Sequence, residues 1–297
     1  MIKNSKYNLI TKFFYIAFCL LLVLIIVPAQ IIKSDIGNIL NATALLYSIL
    51  IGFLVTAAMN NYFELQRLVT NETGNLINLF SLVKLIDKRK VKSIIDKIDK
   101  YLIKGFDYDL TNYTDKTAQE FNELIQTASS VKVINQKETQ TFNIMMSNIS
   151  DMRKTRQQIR IVAPKIITSV YWTTLLTLAS IIIGLLFLTC DEGFVEKLVT
   201  LLLSFSVVIS LLLLAEVDSN RLDEEKLAFE TFENVFDIIG RPRYYPSISL
   251  KAGRIKLNFK KDYRVGFYKN YPKDLTKEIV NFKSGKKWQD YKKYKNK

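Results

Sequence analysis

Residues 36–59 read IGNILNATALLYSILIGFLVTAAM, and this stretch decides the fold. It carries no charge, and it is as long as a helix needs to be to cross a hydrocarbon core roughly 30 Å thick at about 1.5 Å per residue. It is also the most polar of the chain's apolar runs, holding Asn38, Asn41, Thr43, Ser48, Gly52 and Thr56. Asn41, Ala44, Ser48, Gly52 and Thr56 recur every three or four residues, which puts them on one helix face. No proline follows between Asn60 and Ile86. Leu65, Leu68, Val69, Leu76, Leu79, Phe80, Val83 and Ile86 continue a helical period there, so the span is predicted to run straight on into water.

Working outward, three further runs meet the same length requirement: Phe13 to Ile32, Ile166 to Leu188 and Leu198 to Ala215. Lys3, Lys6 and Lys12 ahead of the first give it the look of a signal peptide. Its apolar region is too long for one, and Val27-Pro28-Ala29 is a poor cleavage site, so a retained helix is expected. The chain is predicted to be all-α, a polytopic membrane protein with four transmembrane helices and a helical cytoplasmic body made from their extensions. The divisions are 1–59 for the first two spans, 60–165 for a cytoplasmic helical region, 166–215 for the third and fourth spans, and 216–297 for a cytoplasmic helix and a basic, aromatic-rich tail.

Charge sets the orientation. Lys and Arg total 42 against 28 Asp and Glu. Lys3 to Lys12, Lys84 to Lys92, Arg153 to Lys165 and the tail are basic, whereas the link from Cys190 to Lys197 holds Asp191, Glu192 and Glu196. Cations concentrate on the cytoplasmic side, so both termini and the middle segment are placed there, in a multi-pass cell (inner) membrane protein. Tyr171 and Trp172, close after Lys165, suit an aromatic belt.

In the middle segment Val91, Ile94, Ile95, Ile98, Tyr101 and Leu102 predict an amphipathic helix after the break at Asp87 to Lys90. Phe106 to Thr114 reads as a loop, and Lys116 to Ser130 and Lys137 to Ile161 as helices. Leu222, Phe229, Phe232, Val235, Phe236 and Ile239 mark one more, ended by Gly240-Arg241-Pro242. The tail mixes Tyr244, Tyr245, Tyr263, Phe267, Tyr268, Tyr271, Trp288, Tyr291 and Tyr294 with Lys and Arg. Membrane lipid is its expected partner, because such rings and cations suit a headgroup layer and the tail is already tethered to one. A flexible tail remains open, and nucleic acid is disfavoured.

The chemistry available is limited. The chain has no histidine, which removes the commonest general base and neutral metal ligand. Cys19 and Cys190 lie in or beside apolar runs, so no disulfide framework is expected. Nucleotide loops, zinc motifs and catalytic elbows are absent from the sequence, and neither an enzyme nor a cofactor is predicted. No charge lies inside a span, which argues against a proton relay. The small, weakly polar face of the second span serves either close helix packing or a path for ions. Thr173, Thr177 and Ser180 give the third span a lesser face of the same kind. Glu64 and Arg67 can pair on one helix surface. No metal is predicted. The nearest approach to a metal site is the acidic run Glu216, Asp218, Asp223, Glu224 and Glu225, which lacks dedicated calcium-loop spacing.

Ile49-Leu50-Ile51-Gly52-Phe53-Leu54, then Tyr62, Arg67 and Glu72, resembles the bestrophin-like family of prokaryotic membrane proteins. Tyr101, near the end of the next helix, and Arg156 with Arg160 ahead of the third span extend the resemblance, which covers roughly Leu45 to Ala215 and leaves out the tail. It implies a homo-oligomer, a pentamer, passing small anions such as chloride through a pore lined by the second span. Pore-facing candidates are then Asn41, Tyr47, Ser48, Ile51, Gly52, Val55 and Thr56. The chain departs from the family in having only Tyr47 and Phe53 as aromatics in that span. Asp218, Asp223 and Glu224 stand where bestrophins carry a calcium clasp, without its spacing. The competing expectation is a membrane-anchored interaction or scaffold protein whose tail binds lipid or a partner and which conducts nothing. A lipid enzyme would need a catalytic group that the sequence does not offer.

Overall fold

The computed structural model describes residues 36–164, 167–190, 193–218, 224–252, 261–286 and 288–290, with backbone alone for 224–229. The expected first span, Phe13 to Ile32, lies outside them. Helix α1 spans Ile36–Ile86, 51 residues without a break, as its apolar period and lack of proline dictate. A short 3-10 turn, Lys88–Lys90, leads to α2 (Val91–Gly105), α3 (Leu110–Lys116), α4 (Ala118–Ser129) and α5 (Gln136–Val162). Then come α6 (Ser169–Leu188), α7 (Phe194–Asp218) and α8 (Glu224–Ile238). Of the described helices, α1, α6 and α7 are long and apolar enough to cross a membrane.

The chain divides into two compact units, residues 1–63 with 165–222 and residues 64–164 with 223–297; α1 contributes to both. In the first unit Tyr47, Ile51, Leu54 and Ala58 of α1 pack with Leu175, Ala179, Ile182 and Leu186 of α6 and with Leu214 and Val217 of α7. Tyr47 is the polar exception in that seam. Its Oη donates to the Val207 carbonyl at 3.0 Å and shares a 2.7 Å hydrogen bond with Ser210 Oγ. Leu45, Ile49 and Phe53, on other sides of α1, are exposed in the single chain.

The second unit has a larger core. Leu68, Leu76, Leu79 and Val83 of α1 meet Ile94, Ile98 and Leu102 of α2, Leu124 of α4, and Met145, Met152 and Ile159 of α5. Phe232, Val235 and Phe236 of α8 complete it. These are the apolar positions whose helical spacing predicts the elements. The start of α5 is fixed by Asn135, whose side chain accepts the Glu138 N–H, an N-cap that satisfies one orphan donor.

Two expectations change. Within the segment expected as a loop, residues 106–114, α3 begins at Leu110 and includes Tyr113. The tail, expected as a surface segment or flexible chain in an all-α protein, contains a sheet. Its strands are β1 (Arg243–Pro246), β2 (Tyr263–Asn270) and β3 (Asp274–Phe282), ordered β1-β2-β3, with the five-residue helix α9 (Ser247–Lys251) after β1. Strand β1 runs parallel to β2, with Tyr244 opposite Arg264, and β2 antiparallel to β3, with Val265 opposite Val280. Tyr245, Leu250, Tyr263, Val265 and Phe282 form a small core of their own, with Tyr263 stacked on Phe282 at 5.2 Å. The aromatic rings that suggested a membrane surface fill this sheet instead, because cross-strand ring pairs gain more from mutual burial than from water.

Candidate functional site

The densest constellation of charge lies inside the second unit. Glu72 of α1, Tyr101 of α2, Tyr113 of α3 and Arg156 of α5 are distant in sequence and buried together. Tyr113 Oη donates to Tyr101 Oη at 2.6 Å, and Tyr101 Oη in turn donates to Glu72 Oε1. The Arg156 guanidinium is the hub. One of its terminal nitrogens donates to Tyr101 Oη and, at 3.4 Å, to Glu72 Oε1. The other donates to the Thr114 carbonyl at 2.5 Å and to Thr117 Oγ1 at 3.2 Å. Its flat face covers the Phe121 ring at 4.4 Å, a cation–π contact that water cannot screen.

Local sequence explains how the hub is assembled. Gly105 ends α2 where a methyl group would stand 2.8 Å from Cε2 of Tyr113, so only glycine lets that ring in. Thr117, between α3 and α4, donates to the Tyr113 carbonyl at 2.7 Å and so fixes the corner that Arg156 reads. Burial, and next the charge of Glu72, push the Tyr101 and Tyr113 hydroxyls well above their usual range. Burial works against the charge of Arg156, yet Tyr101, Glu72 and Tyr113 outweigh it and hold the guanidinium more firmly protonated. Glu72 Oε2 and Thr114 Oγ1 are buried and have no hydrogen-bond partner. The cluster holds no nucleophile paired with a base; what it does is pin one half of α1 to four other helices through a single neutralised charge pair.

The family-like residues therefore separate. Glu72, Tyr101 and Arg156 are brought together. Tyr62 is buried in the first unit, edge-on to Phe63 at 5.8 Å. Arg67 makes an exposed two-pronged pair with Glu64 at 2.6 and 2.8 Å, and Arg160 an exposed 3.4 Å pair with Asp115. Tyr113, Thr114, Thr117 and Phe121 were not anticipated. Tyr113 and Thr114 fell in a stretch without apolar period, and only contact in space marks them.

The pore candidates separate too. Asn41, Ser48, Gly52 and Thr56 are exposed in the single chain, and Val55 is half-buried. Tyr47 and Ile51 are buried against α6 and α7, which removes them from any lumen. They lie on the apolar stripe of α1, a turn away from the polar one. Ser48 Oγ donates to the Ala44 carbonyl at 2.7 Å and Thr56 Oγ1 to that of Gly52 at 2.9 Å, so these hydroxyls are satisfied within their own helix. At Gly52 an added methyl would meet nothing within 4 Å. Close packing inside the chain is therefore not what this small residue serves.

Of the metal candidates, Asp218 is committed elsewhere. One oxygen accepts the Ile167 N–H at 3.1 Å and the other the indole N–H of Trp172 at 3.4 Å, tying the end of α7 to the start of α6. Asp223 lies outside the described residues, and of Glu224 only the backbone is described. Among the described residues no group of three or more acidic or cysteine side chains could hold a metal.

The solved structures similar to this chain include a bacterial Bestrophin homolog from Klebsiella pneumoniae. A point variant of it is 13% identical with a TM-score of 0.57, covering 79% of this chain and 100% of that one. A further structure of that homolog gives 13% identity and a TM-score of 0.56, over 80% of this chain and 99% of that one. A structure described only as a membrane protein variant reaches 0.58 at 13% identity, over 78% and 98%. No curated protein matches the chain. A family model, the Bestrophin-like domain, matches residues 13–221. With that match spanning more than half of its length, and with apolar helices to suit, the chain belongs to the bestrophin-like family of membrane proteins.

Proposed function

We propose that the protein is one subunit of a homo-oligomeric ion channel, a pentamer by its resemblance. It passes small anions such as chloride along a path lined by the first half of α1. It sits in a cell (inner) membrane with both termini cytoplasmic, surrounded by lipid and by copies of itself. The observation that carries this reading is the seam Asn41, Ser48, Gly52 and Thr56. These side chains are exposed in one chain, and the space around Gly52 is open. Four small polar residues facing outward from an apolar helix need either a neighbouring subunit or water, and a ring of subunits supplies both. Hydroxyls already bonded to their own helix offer partial solvation without tight binding, which conduction requires. Membership of the family supports the same conclusion.

The rival reading, an anchored scaffold with a tail free to bind lipid or a partner, has lost its support. Arg264 and Lys277 of the tail, and Arg241 just ahead of it, are engaged with Asp99, Asp107 and Asp96 of α2. Purified protein in planar bilayers tests the proposal. Anion current is expected, and Ser48→Leu or Gly52→Leu is expected to reduce it or shift its selectivity. A silent protein that runs as a monomer in detergent sinks the reading.

A further inference from the structure

The far end of α1 carries a charge excess that neither the interior cluster nor the seam uses. From Lys84 through Lys92, with Lys132 from the α4–α5 connection, six cations stand against the single carboxylate of Asp87. Folding gathers them. Asp87 caps the 3-10 turn by accepting the Arg89 N–H at 3.1 Å, and its Oδ1 also takes Arg89 Nε at 3.0 Å. Lys90 Nζ donates to Ser130 Oγ at 3.1 Å, drawing the turn and the start of that connection together. The one other acid on the connection is spent locally: Glu138 accepts from the Ile134 N–H and from Asn135 Nδ2. Lys84, Lys88, Lys92 and Lys132 remain exposed, beside Leu85 and Ile134, which are 73% and 81% exposed. Apolar neighbours of this kind displace water and strengthen a local field.

We propose that this cationic turn is a collector for small inorganic anions, and that it sets the anion preference of the path proposed above, on which reading it rests. A run of lysines is ordinarily a solvated face. Here the turn is held rigid, its sole carboxylate is neutralised by Arg89, and α1, the helix that bears the seam, ends in it. Any ring symmetric about its own axis repeats the turn once per subunit, so its charge multiplies with the assembly. Rings of Lys and Arg are a physical means of admitting anions, and a field of one sign raises the local concentration of the opposite ion.

The test is the full-length triple variant Lys84→Gln, Lys88→Gln, Lys92→Gln in planar bilayers under a KCl gradient. It is run at about 20 mM and at about 1 M, where the screening length shrinks to roughly 3 Å. At low salt the variant is expected to conduct at least about twofold less than the wild type, with a reversal potential shifted toward cations. At high salt the two are expected to converge. Equal behaviour at low salt overturns the proposal, and so does an equal deficit at both salts. A second measurement does not need conduction: binding of the trisulfonate dye pyranine to purified protein at low salt is expected to weaken several-fold in the variant. Unchanged dye binding also overturns the collector. A silent wild type overturns the channel reading, and the dye separates that result from a turn that gathers no anions.

Discussion

Two charged clusters hold the second unit together, and they are built on opposite plans. The first, around Arg156 and Glu72, is dry: both side chains are under a tenth exposed, and one carboxylate oxygen has no partner. The second clamps the C-terminal sheet onto α2. Arg264 grips Asp99 with two nitrogens at 2.6 and 2.8 Å, and Lys277 spends its three protons on both oxygens of Asp107 and on the Ile103 carbonyl. Tyr268 adds a further hydrogen bond to Asp107. In the clamp every strong donor and acceptor is matched close to the surface, where residual water softens any loss. In the interior cluster one guanidinium serves four helices, so its removal strands a buried carboxylate. Satisfied networks rigidify, whereas buried charges that lose their partner are the costly ones.

The largest effect should come from breaking the dry cluster. Arg156→Met is expected to cost about 3–5 kcal/mol by leaving Glu72 buried and unpaired. It should appear as a large drop in thermal unfolding temperature, or as loss of folded protein in detergent. Adding Glu72→Leu to that variant should recover much of the loss, because the stranded charge goes with it; no recovery would mean that packing, and not charge, holds this site.

Next comes alkaline pH, which acts on both clusters at once. Burial raises the hydroxyls of Tyr101 and Tyr113 in the first, and of Tyr268 and Tyr244 in and beside the second. The folded protein therefore keeps protons that the unfolded chain releases near pH 10, so stability is whole below about pH 10 and falls as pH rises above it. Lys277 works the other way just below its usual value, since burial lowers it against the pull of Asp107, but it is one group against four. Phenolate absorbance followed with unfolding should show both transitions together. Tyrosines that ionise near pH 10 while the fold is intact would contradict the burial argument.

The clamp should yield less. Lys277→Met leaves Asp107 with the Tyr268 hydroxyl, and a loss of about 1.5–3 kcal/mol is expected, the range for hydrogen bonds to charged groups. Limited proteolysis should then cut the C-terminal sheet before the helices; helices that melt first would reverse the assignment. Smallest of all is Arg67→Ala. The pair with Glu64 is exposed and solvent-screened, so unfolding temperature should not move measurably.

The clusters also differ in how far they could be read in advance. Glu72, Tyr101 and Arg156 came from a resemblance in the order of motifs, but nothing in their spacing shows that they touch. The span from Tyr263 to Tyr268, rich in rings and with one β-branched residue, carries a strand signal, though an uneven one. Alternation is blurred because the flanking Lys and Arg point at acids of α2 and not at water. Ion pairing across more than a hundred residues leaves no local trace.

The sequence by itself determined the apolar helices α1, α6 and α7, the uninterrupted run of α1 through Ile86 and the amphipathic α2 and α5. It could do so because bilayer thickness and helical period are constraints that act within one segment. Only the tertiary structure decided that Tyr47 and Ile51 belong to the packed side of α1 while Ser48 and Gly52 face outward. It alone turned a basic tail into a sheet clamped by Arg264 and Lys277, and made Tyr113 a partner of Arg156. The reason is the same in each case: which stripe of a helix is buried, and which charge finds which, depends on neighbours that the chain brings close only by folding.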